Sequence, residues 1–401
     1  MSSRGALPLT LFGAFDRHNF GDLLFPHLLT ALLPGRRFEY AALAPRDLRP
    51  FGGHRVLALD SLGASRPIHL IHAGGEVLTC SAWEAAVMLL DSAAAAQAIA
   101  RYGDDHVAAA AWAASQLGTT RNAPYVAGRE FAAPPGKLIF NAVGGVEWAS
   151  MPTARRQEVA SALRHADWLS VRDHVTQRAL RAEGVLAELC PDPAVMVRTC
   201  FEQTIRQRQE ALKPIRQAFP QGYLACQFSA DFADDASLEA LAHQLSRVAG
   251  ATGLGLVFFR AGAAPWHDDQ GLYEKVCGLL PPASARIFGS LHLWDICALI
   301  ATSRAVIASS LHARVVAVAY GLPRVSIKAP QWGARPDKVG AFAETWEPPP
   351  LRRCVSLGEI ESTALQALDL PRGALEQHAA WLCEAYTGSL AQWRDGLSAD
   401  A

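Results

Sequence analysis

Short unbroken apolar runs, four to seven residues long, alternate with amphipathic stretches of helix length along most of this chain. That alternation leaves few folds open. The runs stand at 9–14, 56–60, 68–73, 137–143, 168–171 and 187–190, then at 222–228, 255–260, 285–288, 304–308 and 324–327. They lack the period-two pattern of a strand with one wet face, so they are expected as strands of parallel sheets covered by helices on both sides. Stretches such as 153–166, 175–183, 237–251 and 311–321 supply the helices, which makes a βα-repeating chain.

The rhythm breaks near 194–220, where Arg198, Arg206, Arg208, Glu210, Lys213 and Arg216 crowd a polar, helix-like stretch that ends at Pro220. About six strands precede it and about five follow. The expected class is therefore α/β, with two Rossmann-like doubly wound domains facing a cleft. The expected boundaries are 1–195 for the first domain, 196–220 for a connector and 221–350 for the second domain. Helices over 351–401 are expected to pack back on the first domain. An Ala-rich segment at about 81–118 reads as a helical insertion, a hairpin turning at Gly103-Asp104-Asp105.

Composition narrows the function classes. Half of the residues are hydrophobic, and 37 basic residues face 38 acidic ones, for a net charge of −1. Nothing global attracts nucleic acid or an anionic membrane, so any anion site must be local. The eight cysteines contain no C-x-x-C pair and no His-Cys cluster at zinc spacing, so small buried thiols and no metal are expected. The apolar run 7–15 is too short for a secretory leader, and no window reaches the ~18 apolar residues of a membrane span. A soluble cytoplasmic protein is expected.

In open α/β sheets, ligands bind beyond the carboxyl ends of the strands, and five stretches there carry polar chemistry. Asn19-Phe20-Gly21-Asp22 follows the first run; Asp22 can cap the next helix or act as a carboxylate on a hydroxyl. His72-Ala73-Gly74-Gly75-Glu76 places paired glycines where backbone could approach a ligand, and Asn141–Gly145 repeats that pattern, suggesting an open edge. Neither is a G-x-G-x-x-G fingerprint, so no dinucleotide site is supported. Ser170-Val171-Arg172-Asp173 sets an arginine at a strand end, its guanidinium expected to face outward, with Asp173 as a helix cap or a surface partner of Arg172. Ser309-Ser310-Leu311-His312-Ala313-Arg314 combines a capping serine, a helix N-terminus and a histidine in the first turn, which is an anion pocket beside a titratable group. Lys328 ends the 324–327 run, and Arg260 with His267-Asp268-Asp269 adds charge to the same rim. A serine hydrolase would need an elbow and a third triad member that the sequence does not supply.

Taken in order, Asn19–Asp22, Gly74-Gly75, Ser170–Asp173, Pro191-Asp192-Pro193, Ser309–His312 and Gly321-Leu322-Pro323 resemble the motifs of the polysaccharide pyruvyl transferase family. The resemblance implies a glycosyltransferase-B-like fold, with the acceptor on the first domain and the donor on the second. It implies transfer of a carboxyethylidene (pyruvyl) group from phosphoenolpyruvate to two sugar hydroxyls, giving a ketal and phosphate during exopolysaccharide or cell-surface polysaccharide biosynthesis. Phosphoenolpyruvate is then a co-substrate, and no other cofactor is implied. The acceptor is a sugar or a lipid-linked oligosaccharide, the latter implying peripheral contact with the inner membrane face. On this reading His312, Arg172 and Asp22 are catalytic, while Asn19, Gly74, Gly75, Arg260, Ser309, Ser310, Arg314 and Lys328 bind substrate. One departure stands out. Many relatives read Arg-Leu-His where this chain reads Ser310-Leu311-His312, so Arg260 or Arg314 would have to replace a phosphate contact. A nucleotide-sugar glycosyltransferase of the same architecture and a non-catalytic sugar-binding or scaffold subunit remain open alternatives.

Overall fold

The computed structural model describes residues 7–62, 67–333, 335–351 and 353–397. The chain divides into two compact units, one holding residues up to Pro193 together with those from Glu384 on, the other holding Ala194–Cys383. The outermost residues of the expected first domain and of the expected C-terminal helices lie outside the described residues.

In the first unit the strands are β1 (Leu9–Phe12), β2 (Phe38–Ala42), β3 (Arg46–Asp47), β4 (Arg55–Ala58), β5 (His69–His72), β6 (Leu138–Val143), β7 (Trp168–Val171) and β8 (Glu188–Leu189). They form one sheet ordered β3-β4-β2-β1-β5-β6-β7-β8. The β1, β5 and β6 strands are buried along their whole length, as their unbroken apolar runs require. From β1 the chain winds outward through β2 and β4, then returns to add β5, β6, β7 and β8 on the other side. The order reverses between β1 and β5, the point at which α/β sheets open a crevice. Only the two-residue β3 runs antiparallel, on the edge. The β2 strand, Phe-Glu-Tyr-Ala-Ala, was not expected. Its first three residues are half-buried and include Glu39, so it carries no apolar run.

The second unit holds β9 (Tyr223–Gln227), β10 (Gly255–Phe259), β11 (Ala285–Phe288), β12 (Ala305–Ala308), β13 (Arg324–Ile327) and β14 (Cys354–Val355). Their order is β11-β10-β9-β12-β13-β14, all pairs parallel, with the reversal between β9 and β12. Phe228, Phe258 and Tyr273 interlock edge-on and tilted in its core. Each buried side chain of this size is worth roughly 1.5–3 kcal/mol. Both sheets are doubly wound and Rossmann-like, so the α/β class read from the apolar rhythm is the observed one.

The Ala-rich segment forms three helices, Ala82–Met88, Ser92–Tyr102 and His106–Leu117. The expected hairpin is the second and third of these. Their starts are fixed by side chains: Ser81 with Glu84 as a capping box, then Asp91 and Asp105. The polar stretch after Pro193 is helical over Val197–Gln207 and Lys213–Ala218 and belongs to the second unit.

Candidate functional site

In the first unit the reversal between β1 and β5 brings two motifs together. Asn19, not Asp22, caps the Phe20–Leu32 helix, its Oδ1 accepting from the Gly21 N–H at 3.1 Å. This corrects the capping role expected of Asp22, which is left in the first turn and buried. Gly74 and Gly75 follow β5 with φ of +115° and +91°, values that strain any L side chain. A Cβ on Gly75 would stand 3.3 Å from Asp22 Oδ1, and one on Gly74 would stand 3.1 Å from the Phe25 ring. The glycines thus let the β5 turn lie directly against the Asp22 carboxylate. Beside them Asp16 accepts from the N–H groups of Leu43 and Ala44 and from the Tyr125 hydroxyl, and Arg17 Nη1 donates to the same hydroxyl. Burial raises the Asp16 carboxyl, and Arg17 opposes the rise.

Arg172 departs from expectation. Its side chain is 1% exposed, with Nη2 on Glu76 Oε2 at 2.7 Å and Nη1 on Asp192 Oδ2 at 3.0 Å. The guanidinium does not face outward, because two carboxylates hold it inside. Glu76 also accepts from the Val146 N–H, and the Gly144 position is bare because the Arg172–Glu76 pair lies across it. The second diglycine therefore accommodates an ion pair rather than a ligand at Gly144. Nor is Asp173 a surface partner. It caps the His174–Ala182 helix by accepting from the Thr176 N–H at 2.7 Å, its carboxyl raised by burial and by the Glu76 charge.

In the second unit the reversal lies between β9 and β12, and the Leu311–Ala319 helix starts there. Ser310 caps it through the Ala313 N–H, and His312 sits in the first turn, 7% exposed. The opening amides of a helix have no intrahelical partners, and its dipole favours an anion. Ser309 Oγ accepts from the Ser229 N–H, and Gln227 Oε1 accepts from the Ser310 N–H at 2.8 Å. This fixes the serine turn on the end of β9. Two strands away, Arg260 follows β10 half-buried, with no carboxylate or hydrogen-bond partner among the described residues.

The other two candidate cations of this unit, Arg314 and Lys328, are engaged. Arg314 is buried, with Nε on Glu347 at 3.0 Å, Nη1 on Ser326 Oγ at 2.6 Å and Nη2 on the Leu351 carbonyl. It cannot replace the missing arginine, and the expectation that it binds substrate is withdrawn. Glu347 also takes Arg324; burial would raise its carboxyl, but the two guanidinium groups prevail and hold it at about 2. Lys328 donates to the Arg335 carbonyl and pairs with Asp337 at 3.5 Å, so it is a half-committed charge.

The sequence reading missed Gln227 and, as more than a rim charge, Asp268; Gln227 is the lone amide within the run 222–228. The described residues contain no group of three or more His, Cys, Asp or Glu able to hold a metal ion, and no helix long and apolar enough to cross a membrane.

Solved structures similar to this chain include two epimerases. The UDP-GlcNAc 2-epimerase from Methanocaldococcus jannaschii aligns over 94% of this chain and 99% of its own, with a TM-score of 0.50 at 9% identity. The UDP-N-acetylglucosamine 2-epimerase from Rickettsia bellii aligns over 98% of each chain, with a TM-score of 0.49 at 11% identity. At such identity the first likeness is one of fold alone. No curated protein matches the sequence. The polysaccharide pyruvyl transferase model matches residues 19–328, a span that takes in every candidate residue above, and the chain belongs to that family.

Proposed function

We propose that the protein transfers a pyruvyl group from phosphoenolpyruvate to two hydroxyls of a sugar on a cell-surface or exported polysaccharide precursor, forming a cyclic ketal and releasing phosphate. The observation that carries this reading is the second unit's helix start. A buried histidine stands in the first turn of a capped helix, and Arg260 follows the strand two places away without an ion-pair partner among the described residues. Phosphoenolpyruvate carries a phosphate and a carboxylate, and helix amides, a guanidinium and a protonated imidazole are the donors such groups recruit. A phosphate held there favours the charged imidazole.

His312 then gives its proton to the methylene carbon of phosphoenolpyruvate. The first sugar hydroxyl attacks the adjacent carbon and loses its proton to a base. The second hydroxyl closes the ring as the C–O bond to phosphate breaks, and its proton leaves with the phosphate. Arg260 takes the place of the family's missing arginine, and Lys328 supplies the weaker second cation. Asp22, against the Gly75 turn, orients or deprotonates the acceptor hydroxyl with Asn19 at its side. Arg172 is assigned a structural part, fixing Glu76 and the turn behind Gly75. The donor is soluble and the acceptor a sugar or lipid-linked oligosaccharide, which suits a cytoplasmic enzyme working at the inner membrane face.

The test is phosphate release from phosphoenolpyruvate in the presence of lipid-linked oligosaccharides. His312→Ala should lower the rate about a thousandfold with the fold unchanged by circular dichroism, the scale of a lost proton donor. Wild-type protein that is stabilised against heat by UDP-sugars and untouched by phosphoenolpyruvate would overturn the reading in favour of a glycosyltransferase.

A further inference from the structure

The anion site proposed for the second unit is made of two pieces on different strands, the loop after β10 that begins at Arg260 and the serine turn before the Leu311–Ala319 helix. Between them runs β9, whose last residue, Gln227, is 2% exposed. Gln227 Nε2 donates to Asp268 Oδ1 at 2.7 Å, while its Oε1 accepts from the Ser310 N–H at 2.8 Å and the Ser309 hydroxyl at 3.4 Å. On its other oxygen Asp268 accepts from the Ala261 N–H at 2.5 Å and the Gly262 N–H at 3.4 Å, the two amides that follow Arg260.

We propose that Asp268 is a positioning residue for the anion site, one carboxylate that holds the start of the His312 helix through Gln227 and the Arg260 loop through Ala261 and Gly262. The proposal rests on the anion-binding reading of this edge. It follows from the hydrogen-bond polarity. A carboxylate only accepts, so it takes the amino end of the Gln227 amide and leaves the carbonyl end for the Ser310 N–H. Turned the other way, the amide would face a backbone donor with a donor and leave both ends unsatisfied. Burial pushes the Asp268 carboxyl up to about 7, and the Ala261 amide, Gln227, the Gly262 amide and the Tyr273 side chain oppose that rise. A negative charge beside an anion site repels the ligand, so its value there lies in geometry.

That opposition of signs makes the test decisive. Sulfate binding to the full chain is measured by calorimetry at about pH 8, alongside KM and kcat for phosphoenolpyruvate. Loss of the charge alone predicts that Asp268→Asn binds sulfate more tightly. Positioning predicts binding about tenfold weaker, the scale of one charge-assisted hydrogen bond, with KM rising in proportion and kcat moving less. Gln227→Glu sets carboxylate against carboxylate and should weaken binding similarly. The double variant restores the polarity, because the amide now at 268 donates to the carboxylate now at 227, which still accepts from Ser310. Its affinity should return to within about twofold of wild type.

Unchanged or tighter sulfate binding in Asp268→Asn, or a folded double variant no better than the singles, overturns the proposal. If Asp268→Asn alone does not fold, a double variant that regains both fold and sulfate binding supports it, and one that folds without binding overturns it. Wild-type protein that binds sulfate but releases no phosphate from phosphoenolpyruvate would end the pyruvyl-transfer reading while the variants still judge Asp268. Wild-type protein that binds no sulfate ends the positioning proposal itself.

Discussion

At the carboxyl edge of the first sheet one buried cation, Arg172, pairs with two carboxylates, Glu76 and Asp192, while at the same edge of the second sheet Arg260 pairs with none among the described residues. The Asp268 carboxylate at that second edge is spent on the Gln227 amide and the Ala261 and Gly262 N–H groups. Asp22 adds a further acid to the first edge, and the Leu311–Ala319 helix adds its positive end to the second. An edge with surplus carboxylate suits neutral hydroxyls, which need an acceptor for their protons. An edge with surplus positive potential suits an anion. The two sheets wind alike, so the difference comes from a few side chains past the strand ends. An arginine at a strand end shows its use only through the carboxylates that meet it there.

The strongest way to break this comparison is to disturb the locked pair. Asp192→Asn removes the fully buried acid of the Arg172 cluster and leaves an under-compensated guanidinium inside. Breaking buried pairs of this kind costs about 3 kcal/mol, so the melting transition of the first unit should fall by several degrees in calorimetry. KM for phosphoenolpyruvate should hold. A variant with an unchanged melting transition and a tenfold higher KM would make Arg172 a donor ligand, and the contrast between the edges would be lost.

The fold was largely legible because buried parallel strands must be apolar throughout: all eleven expected runs overlap observed strands. The three it missed have no such run. The β2 strand carries Glu39 in a half-buried stretch, and β3 and β14 are two residues long. The site was legible only as positions. Ser310, Asp173 and the glycines of the β5 turn could be placed because caps and positive φ leave local signatures. The partners of Arg172 and Arg314 could not: Glu76 lies 96 residues from Arg172 and Glu347 lies 33 from Arg314, and no local pattern encodes such encounters. Gln227 and Asp268 escaped for the same reason, since their importance depends on β9 lying beside β12, which strand order alone reveals.

Arg260→Gln sharpens the comparison from the other side. Removing an uncompensated guanidinium from an anion edge should raise KM for phosphoenolpyruvate about tenfold, as for one charge-assisted contact, with kcat changing less and the melting transition unmoved, since no ion pair is lost. An unchanged KM would mean that the second edge draws its anion affinity from the helix start alone and that no arginine has replaced the one absent before Leu311. The paired result, KM moving for Arg260 and stability moving for Asp192, is what two edges with different charge economies require.

The smallest effect is expected at Lys328, and it tests where the boundary between a locked and an available cation lies. Its ammonium sits 3.5 Å from Asp337 and donates to the Arg335 carbonyl, with its side chain about one-fifth exposed. Asp337 is itself committed, capping the Lys338–Trp346 helix through the Val339 and Gly340 amides, so it stays in place whether or not Lys328 does. A part-exposed pair of this kind contributes little, about 0.2–1 kcal/mol, and an ammonium that keeps its counter-ion adds little field at the anion. Lys328→Gln should therefore change KM for phosphoenolpyruvate less than about twofold. A tenfold rise would show that the ligand outcompetes Asp337 for Lys328, which would move this lysine from the compensated group into the group represented by Arg260.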